Sequence, residues 1–272
     1  MPELPEVETL RRQLAPELVN RRVLDAWGYL PPKFDQAPAA VGARFGAVQR
    51  LGKYLVAELS GGRELVLHLG MTGKLSVPTT SQWAPGPYTR AWWQLDDGRT
   101  LVFDDTRRFG RLAVVDAGDY TGLPTLAALG PDPFDPDLDG EVLWRALRRS
   151  SARVKTQLLS QRPIAGVGNI YADEALWRCG VHPASRSVTR AQASALLDAL
   201  RAVLAAGISH GGTTLRDYRT LEGTSGENQD HLDCYGRAGH ACARCASLLR
   251  SRVYDGRTST FCPTCQRQRP AR

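Results

Sequence analysis

The 272 residues are 42% hydrophobic and carry a formal net charge of +7. That apolar share supports a packed core and excludes a generally disordered chain, and the length allows two domains. The positive excess favours a polyanionic partner, nucleic acid before an anionic membrane surface, and no run of about 18 apolar residues offers to cross a bilayer.

The start lacks the basic-then-apolar plan of a secretory signal. Six cysteines in such a chain suit a reducing cytoplasm, where thiols bind metal more often than they form disulfides. Lysine is confined to Lys33, Lys53, Lys74 and Lys155, and arginine supplies the other cations.

The chain opens "MPELPEVETL". Pro5 suits a first helical position, Glu6 and Glu8 suit the positive end of a helix dipole, and Leu4, Val7, Leu10, Leu14 and Leu18 make an apolar stripe. Pro2 follows directly on Met1, and Met1 before so small a residue is normally removed. An α-amine has a pKa of about 8 against about 10.4 for lysine, leaving on the order of a hundredfold more free base at neutral pH. A secondary amine of that kind can attack an electrophilic carbon and form an iminium, with Glu3 beside it to move protons. Read alone, the plainer account prevails: Pro2 is an ordinary start and Glu3 an ordinary surface acid.

From about Val23 to Asp116 the pattern is of short strands. "KYLVAEL", "ELVLHLG", "AWWQL", "TLVF" and "RLAVV" are β-branched, aromatic or alternating and are separated by turns. This predicts a sandwich or barrel. Met71 falls in one turn, "LGMTG", and Arg107, Arg108 and Phe109 in another. Apolar side chains at loop tips beside arginine suit a wedge into a nucleic-acid duplex, or they fold back onto the sandwich.

"GPDPFDPDLDG", residues 130–140, with three prolines and four aspartates, reads as a linker. Helical patterns follow in "EVLWRALRRS", "SARVKTQLLSQ", "NIYADEALWRCG" and "TRAQASALLDALRAVLAAGISHG". Trp144 to Pro163 holds six cations and no acid, and it leads to Gly166, Gly168 and Asn169. A glycine turn opening a helix behind such a stretch suits phosphate. About twenty irregular residues then precede the tail, a length that is usually functional.

The tail carries Cys242-x-x-Cys245, sixteen residues, then Cys262-x-x-Cys265. Two such pairs match a four-thiolate zinc site, with iron as the rival metal, and Asp255-Gly256 between them predicts a two-residue hairpin turn. With no open coordination position the zinc is expected to be structural. Residues 237–272 hold eight arginines and one acid, Asp255, which suits a basic surface for phosphates. Cys179 and Cys234 have no partner at ligand spacing and read as core or incidental thiols.

Taken in order, "MPELPEVET", "GKYL", "HLGMTG", "RRFG", "GVGNIYADE", "GGTTLRDY", "YGR" and the CxxC hairpin resemble the bacterial formamidopyrimidine-DNA glycosylase family, over nearly the whole chain. The resemblance implies an α+β chain of two domains. An N-terminal helix plus β-sandwich (1–130) joins through 131–140 to a helix–two-turn–helix domain (141–236) and a β-hairpin zinc finger (237–272). It implies excision of oxidised purines from damaged double-stranded DNA, with strand cleavage at the abasic site, by a cytoplasmic monomer needing no small-molecule cofactor. Pro2, Glu3, Lys53 and Arg257 would be catalytic. Met71, Arg107 and Phe109 would fill the hole left by the flipped base, and Lys155, Asn169 and Arg257 would face DNA. The loop at about 213–235 would cap the lesion. Tyr88 stands where related enzymes often carry histidine, which leaves a DNA contact there open. The endonuclease VIII type, which prefers oxidised pyrimidines, is the nearest alternative, and a non-catalytic zinc-hairpin DNA-binding protein is the alternative from another class.

Overall fold

The structure, a computed structural model, describes residues 1–268; Arg269 and Arg272 of the basic tail lie outside that range. Contacts divide the chain into two compact units, residues 1–127 with 208–229, and residues 128–207 with 230 onward.

The first unit begins with helix α1, Leu4–Leu18. Its stripe of Leu4, Val7, Leu10, Leu14 and Leu18 is buried. Glu3 is its N-cap, and Glu3 and Glu6 bond each other's backbone N–H in a reciprocal capping box. Strands β1 (Val23–Gly28), β2 (Phe45–Leu51), β3 (Tyr54–Leu59), β4 (Arg63–His68), β5 (Gly73–Ser76), β6 (Thr89–Leu95), β7 (Thr100–Asp105) and β8 (Arg111–Asp116) follow. They form two antiparallel sheets, ordered β1-β6-β7-β5 and β2-β3-β4-β8. The period of two shows in which residues reach the core: Ala91, Trp93 and Leu95 of β6 and Leu101 and Phe103 of β7 join Leu55, Leu59, Leu65 and Leu67 with Val7, Leu10, Leu14 and Leu18 of α1, while the intervening Val102 is buried outside that cluster. The buried Trp93 indole donates to the Ala37 carbonyl at 3.1 Å.

Residues 208–229 return to this unit although they follow the helical segments in sequence. Tyr218 enters the sandwich core, and the Leu221 N–H reaches Gln13 of α1 at 3.0 Å. The irregular segment therefore divides near Gln229 and does not belong as a whole to the helical region, where its place in the sequence puts it.

The second unit holds α3 (Gly140–Arg148), α4 (Val154–Leu159), α5 (Asn169–Cys179) and α6 (Arg190–Ser209, whose last two residues fall in the first unit); α2 is the short turn Pro124–Ala127. α3 is capped by Asp139, which accepts from the Val142 N–H. α4 has only six residues, shorter than its sequence pattern, because the Gln157 amide caps the carbonyls of Ser150 and Ala152 ahead of it. The linker-like 130–140 stretch is bound to this unit: the Arg201 guanidinium donates to the carbonyls of Pro133, Asp135 and Leu138 at 2.7, 3.0 and 2.7 Å. α6 is long and apolar enough to cross a membrane by length and composition, with a mean hydropathy of 1.3, but its Leu196, Leu197, Leu200 and Leu204 are buried as in a core helix.

The described chain ends in the hairpin β9 (Arg250–Tyr254) and β10 (Arg257–Phe261), antiparallel across Asp255-Gly256. Both turn residues have positive φ, +48° and +75°, the conformation that a two-residue hairpin of this twist requires.

Candidate functional site

The first cluster lies at the start of α1. Pro2 is buried, Met1 before it is half exposed, and Glu3 is only 3% exposed. Glu6 organises this end. One carboxylate oxygen takes the Glu3 N–H at 2.7 Å and the other takes the Thr213 N–H at 2.7 Å, so one buried acid ties the start of the chain to the 208–229 segment. Gly212, at φ +88°, permits the approach, since a Cβ there would stand 2.9 Å from the Glu6 Cγ. Two residues on, Glu8 is bonded by Arg11 and Arg12 at 2.8 Å and by Arg50 at 3.3 Å.

Lys53 occupies the tight turn between β2 and β3 yet is buried. Its charge and that of Arg111 act on His68. Burial first, then these cations, lower the His68 pKa to about 4, so the imidazole is neutral near pH 7 and its Nδ1 accepts the Gly70 N–H at 3.1 Å.

That bond shapes the Met71 turn, which meets the 107–110 turn. Gly70 (φ +62°) touches the other loop through its backbone, where a Cβ would fall 2.4 Å from the Phe109 carbonyl carbon. Met71 and Phe109 stay 37% and 46% exposed, so neither folds back onto the sandwich. The Arg107 guanidinium stacks 4.7 Å from the centre of the Phe109 ring. Tyr88 is exposed and lines a cavity of about 290 Å³ with Lys74, Trp83 and Thr72.

In the second unit Asn169 is the first residue of α5, behind the Gly168 N-cap. Its Oδ1 is buried with no hydrogen-bond partner among the described residues. Asp173, one turn along α5, faces Lys155 at 2.6 Å and accepts the Thr260 N–H of β10 at 2.8 Å. Burial raises the Asp173 pKa to about 6, although Lys155 and the Thr260 bond pull against it. The Lys155 side chain, expected to face DNA, is buried: its ammonium pairs with Asp173 and donates to the Thr258 carbonyl at 2.9 Å, and the residue also lines the cavity beside Arg257. Such a cation braces the hairpin from inside the protein. Arg257 is exposed and lines a cavity of about 210 Å³ with Thr156, Ser160, Tyr254 and Asp255.

The sulfurs of Cys242, Cys245, Cys262 and Cys265 lie within 4.8 Å of one another. Cys245 and Cys262 are 3.4 Å apart and Cys242 and Cys265 are 4.0 Å apart, near the ~3.8 Å edge of a tetrahedron with Zn–S of about 2.3 Å. The Trp177 indole N–H points at the Cys242 sulfur and the Cys265 N–H at the Cys262 sulfur, both at 3.3 Å, which suits thiolates. The four residues form a site for one metal ion, and the donor set is that of structural zinc. Cys179 and Cys234 lie outside this cluster. Glu6, Thr72 and Asp173 carry no signal as site residues in the sequence, because each has a partner distant in the chain.

Residues 1–112 match the profile of the formamidopyrimidine-DNA glycosylase N-terminal domain, and residues 129–219 that of the formamidopyrimidine-DNA glycosylase H2TH domain. A formamidopyrimidine-DNA glycosylase of Thermus thermophilus is 44% identical, covering 99% of this chain and 100% of its own; that of Chloroflexus aggregans is 43% identical over 98% of both. Among solved structures, the MutM (Fpg) protein of Thermus thermophilus superposes with a TM-score of 0.90 at 44% identity, over 99% of this chain and 100% of that one. The Lactococcus lactis Fpg in complex with DNA containing an abasic site gives 0.88 at 30% identity, over 98% and 100%.

Proposed function

Because the chain belongs to the formamidopyrimidine-DNA glycosylase family, we propose that it excises oxidised purines, 8-oxoguanine and formamidopyrimidines, from double-stranded DNA and then cleaves the strand. The observation that carries this reading is the start of α1, where Pro2 and Glu3 are buried together and Glu6 holds both the Glu3 N–H and the 208–229 segment.

Removal of Met1 leaves Pro2 as a free secondary amine. Its lone pair attacks C1′ of the damaged nucleotide, and the glycosidic bond breaks with its electrons leaving on the base. The amine loses its proton, and Glu3 protonates the ring oxygen as the sugar opens to an iminium on Pro2. That cation acidifies the C2′ proton. Its loss expels the 3′ phosphate by β-elimination, a second elimination expels the 5′ phosphate, and water frees the amine. Lys53 steadies the phosphates beside the sugar, and Arg257 assists the later step.

Extrusion of the lesion costs a few kcal/mol, offset by Met71, Arg107 and Phe109 in the vacated space and by phosphate contacts from Asn169 and Arg257. Asn169 opens α5 behind the Gly168 turn, so its side-chain NH₂ and the backbone N–H groups of that helix end are the donors offered to a phosphate. The segment from about Thr213 closes over the extruded base, and Tyr88 faces the DNA. Four thiolates holding zinc keep β9 and β10 in register and supply no step. The work is cytoplasmic, and one copy suffices to grip one duplex.

Borohydride reduction during reaction with an 8-oxoguanine duplex tests the proposal. A covalent adduct at Pro2 is expected, and a non-catalytic DNA-binding protein would give none. Full strand scission by a preparation that retains Met1 would overturn it. Faster cleavage of a thymine-glycol duplex than of the 8-oxoguanine duplex would move the chain to the pyrimidine-directed type.

A further inference from the structure

The turns carrying Met71 and Phe109 are bolted to one carboxylate. Asp105, the last residue of β7, is fully buried. Its Oδ1 accepts the Thr72 hydroxyl at 2.5 Å and the Arg107 N–H at 3.2 Å, and its Oδ2 accepts the Gly110 N–H at 2.7 Å. The Arg107 N–H also reaches the Thr72 hydroxyl oxygen at 3.2 Å, so the two loops share one network. Asp105 is itself anchored: its N–H donates to the Tyr88 carbonyl and Arg90 Nε donates to its carbonyl, each at 2.9 Å.

The network holds a loop that would not hold itself. Arg108 has φ +57°, a conformation unfavourable for a residue with a Cβ. The Asp105 carboxylate closes the chain on both sides of it, and Lys33 Nζ donates to the Arg108 carbonyl at 2.6 Å. Gly110 must be glycine for the closure, because a Cβ there would lie 2.7 Å from the Phe103 ring and 3.0 Å from Asp105 Oδ2. All three partners of the carboxylate are donors. An ionised carboxylate accepts on both oxygens, whereas an asparagine in either orientation turns its NH₂ toward a donor.

We propose that Asp105 is a positioning residue for base extrusion, holding the Met71 and Phe109 turns as one preformed wedge. This rests on the reading of Met71, Arg107 and Phe109 as the residues that enter the duplex. An ordered wedge loses little conformational freedom on insertion, whereas a loose one must be ordered at the DNA.

An abasic site has no base to unstack, so it depends less on the wedge than a base lesion does. The test compares D105N, T72V and F109A in single-turnover cleavage of an 8-oxoguanine duplex and of a duplex with a preformed abasic site, with thermal melts to confirm folding. The expected result is that the ratio of the first rate to the second falls by on the order of tenfold in D105N, the scale of one lost charged hydrogen bond, by less in T72V, and in F109A as well; T72S should restore it. If F109A lowers the ratio but folded D105N and T72V do not, Asp105 has no positioning role. Equal loss of both rates in D105N would mark it as merely structural and also overturn the proposal. If D105N does not fold, T72V, which removes one hydroxyl, decides. An unchanged ratio in F109A would sink the wedge reading itself.

Discussion

Glu8 is buried against three arginines. Burial alone would raise its pKa; the hydrogen bonds from Arg11 and Arg12 and the charge of Arg50 reverse that and bring it from 4.5 to about 2. A folded-state value below the unfolded one contributes stability that is complete above about pH 4.5 and is lost as pH falls through about 2. E8Q should therefore flatten the fall of melting temperature across that window, and should cost roughly 1–2 kcal/mol at neutral pH after allowance for solvent screening. Superimposable acid melts of E8Q and the wild type would refute this. Glu3 gives a different prediction. Its capping role needs only an acceptor, which glutamine retains, whereas proton transfer needs a carboxyl group. E3Q should melt within about 0.5 kcal/mol of the wild type yet excise base lesions roughly 10²–10⁴-fold more slowly. The proposed role of Glu3 can be read from the sequence because it follows from the residue beside it. Glu6 and Asp105 are not. Glu6 finds Thr213 across 207 positions and Asp105 finds Thr72 across 33, and no local pattern encodes such partners.

The hairpin β9–β10 presents a contest between charge and geometry. Asp255 is the one acid in a basic segment, where it should repel DNA. Its carboxylate is held by Arg153 and by the Thr156 hydroxyl of α4, two residues before Arg257 in the same cavity wall. D255G keeps the positive φ without strain and removes one negative charge. If the acid only repels, affinity for duplex rises; if it holds the tip against α4, affinity falls despite the gain in net charge. The tether is expected to win, with binding weaker by about two- to fivefold, the small effect that an exposed ion pair has, and titration of a labelled duplex at fixed salt gives the sign. Elements of this kind are open to sequence reasoning where their signal is local: period two in β6 and β7, the Asp-Gly turn, the α1 stripe. α4 is shorter than its pattern because its N-terminal turn is replaced by Gln157 capping. Chain order groups 208–229 with the wrong neighbours because Tyr218 packs into a core built 100 residues and more earlier.

At the scale of the molecule, the excess of +7 is expected to act through counterion release. If Lys53, Arg107 and Arg257 each meet a phosphate, the logarithm of the binding constant should fall against the logarithm of salt concentration with a slope of about −3, and R257A should reduce that slope by about one. The cations are legible as composition, because arginine density needs no fold to be seen; their division between two compact units is not, since contacts and not order decide it. That division has a consequence for the metal. Cys242, Cys245, Cys262 and Cys265 all belong to the second unit, and Cys242, Cys262 and Cys265 pack with Trp177, Cys234 and Leu249 in a small core of their own, whereas the sandwich core draws on none of them. Removing the metal with a thiol-reactive reagent should release one equivalent of colourless zinc per chain, and visible absorbance in the untreated protein would indicate iron instead. The hairpin should then lose its register and duplex affinity should drop by tenfold or more, on the order of the ~1.4 kcal/mol that one charged contact supplies. The sandwich should still melt cooperatively, because its apolar contacts do not pass through the cysteines. A single melt abolished throughout the chain on metal loss would show that the two units do not hold their structure independently.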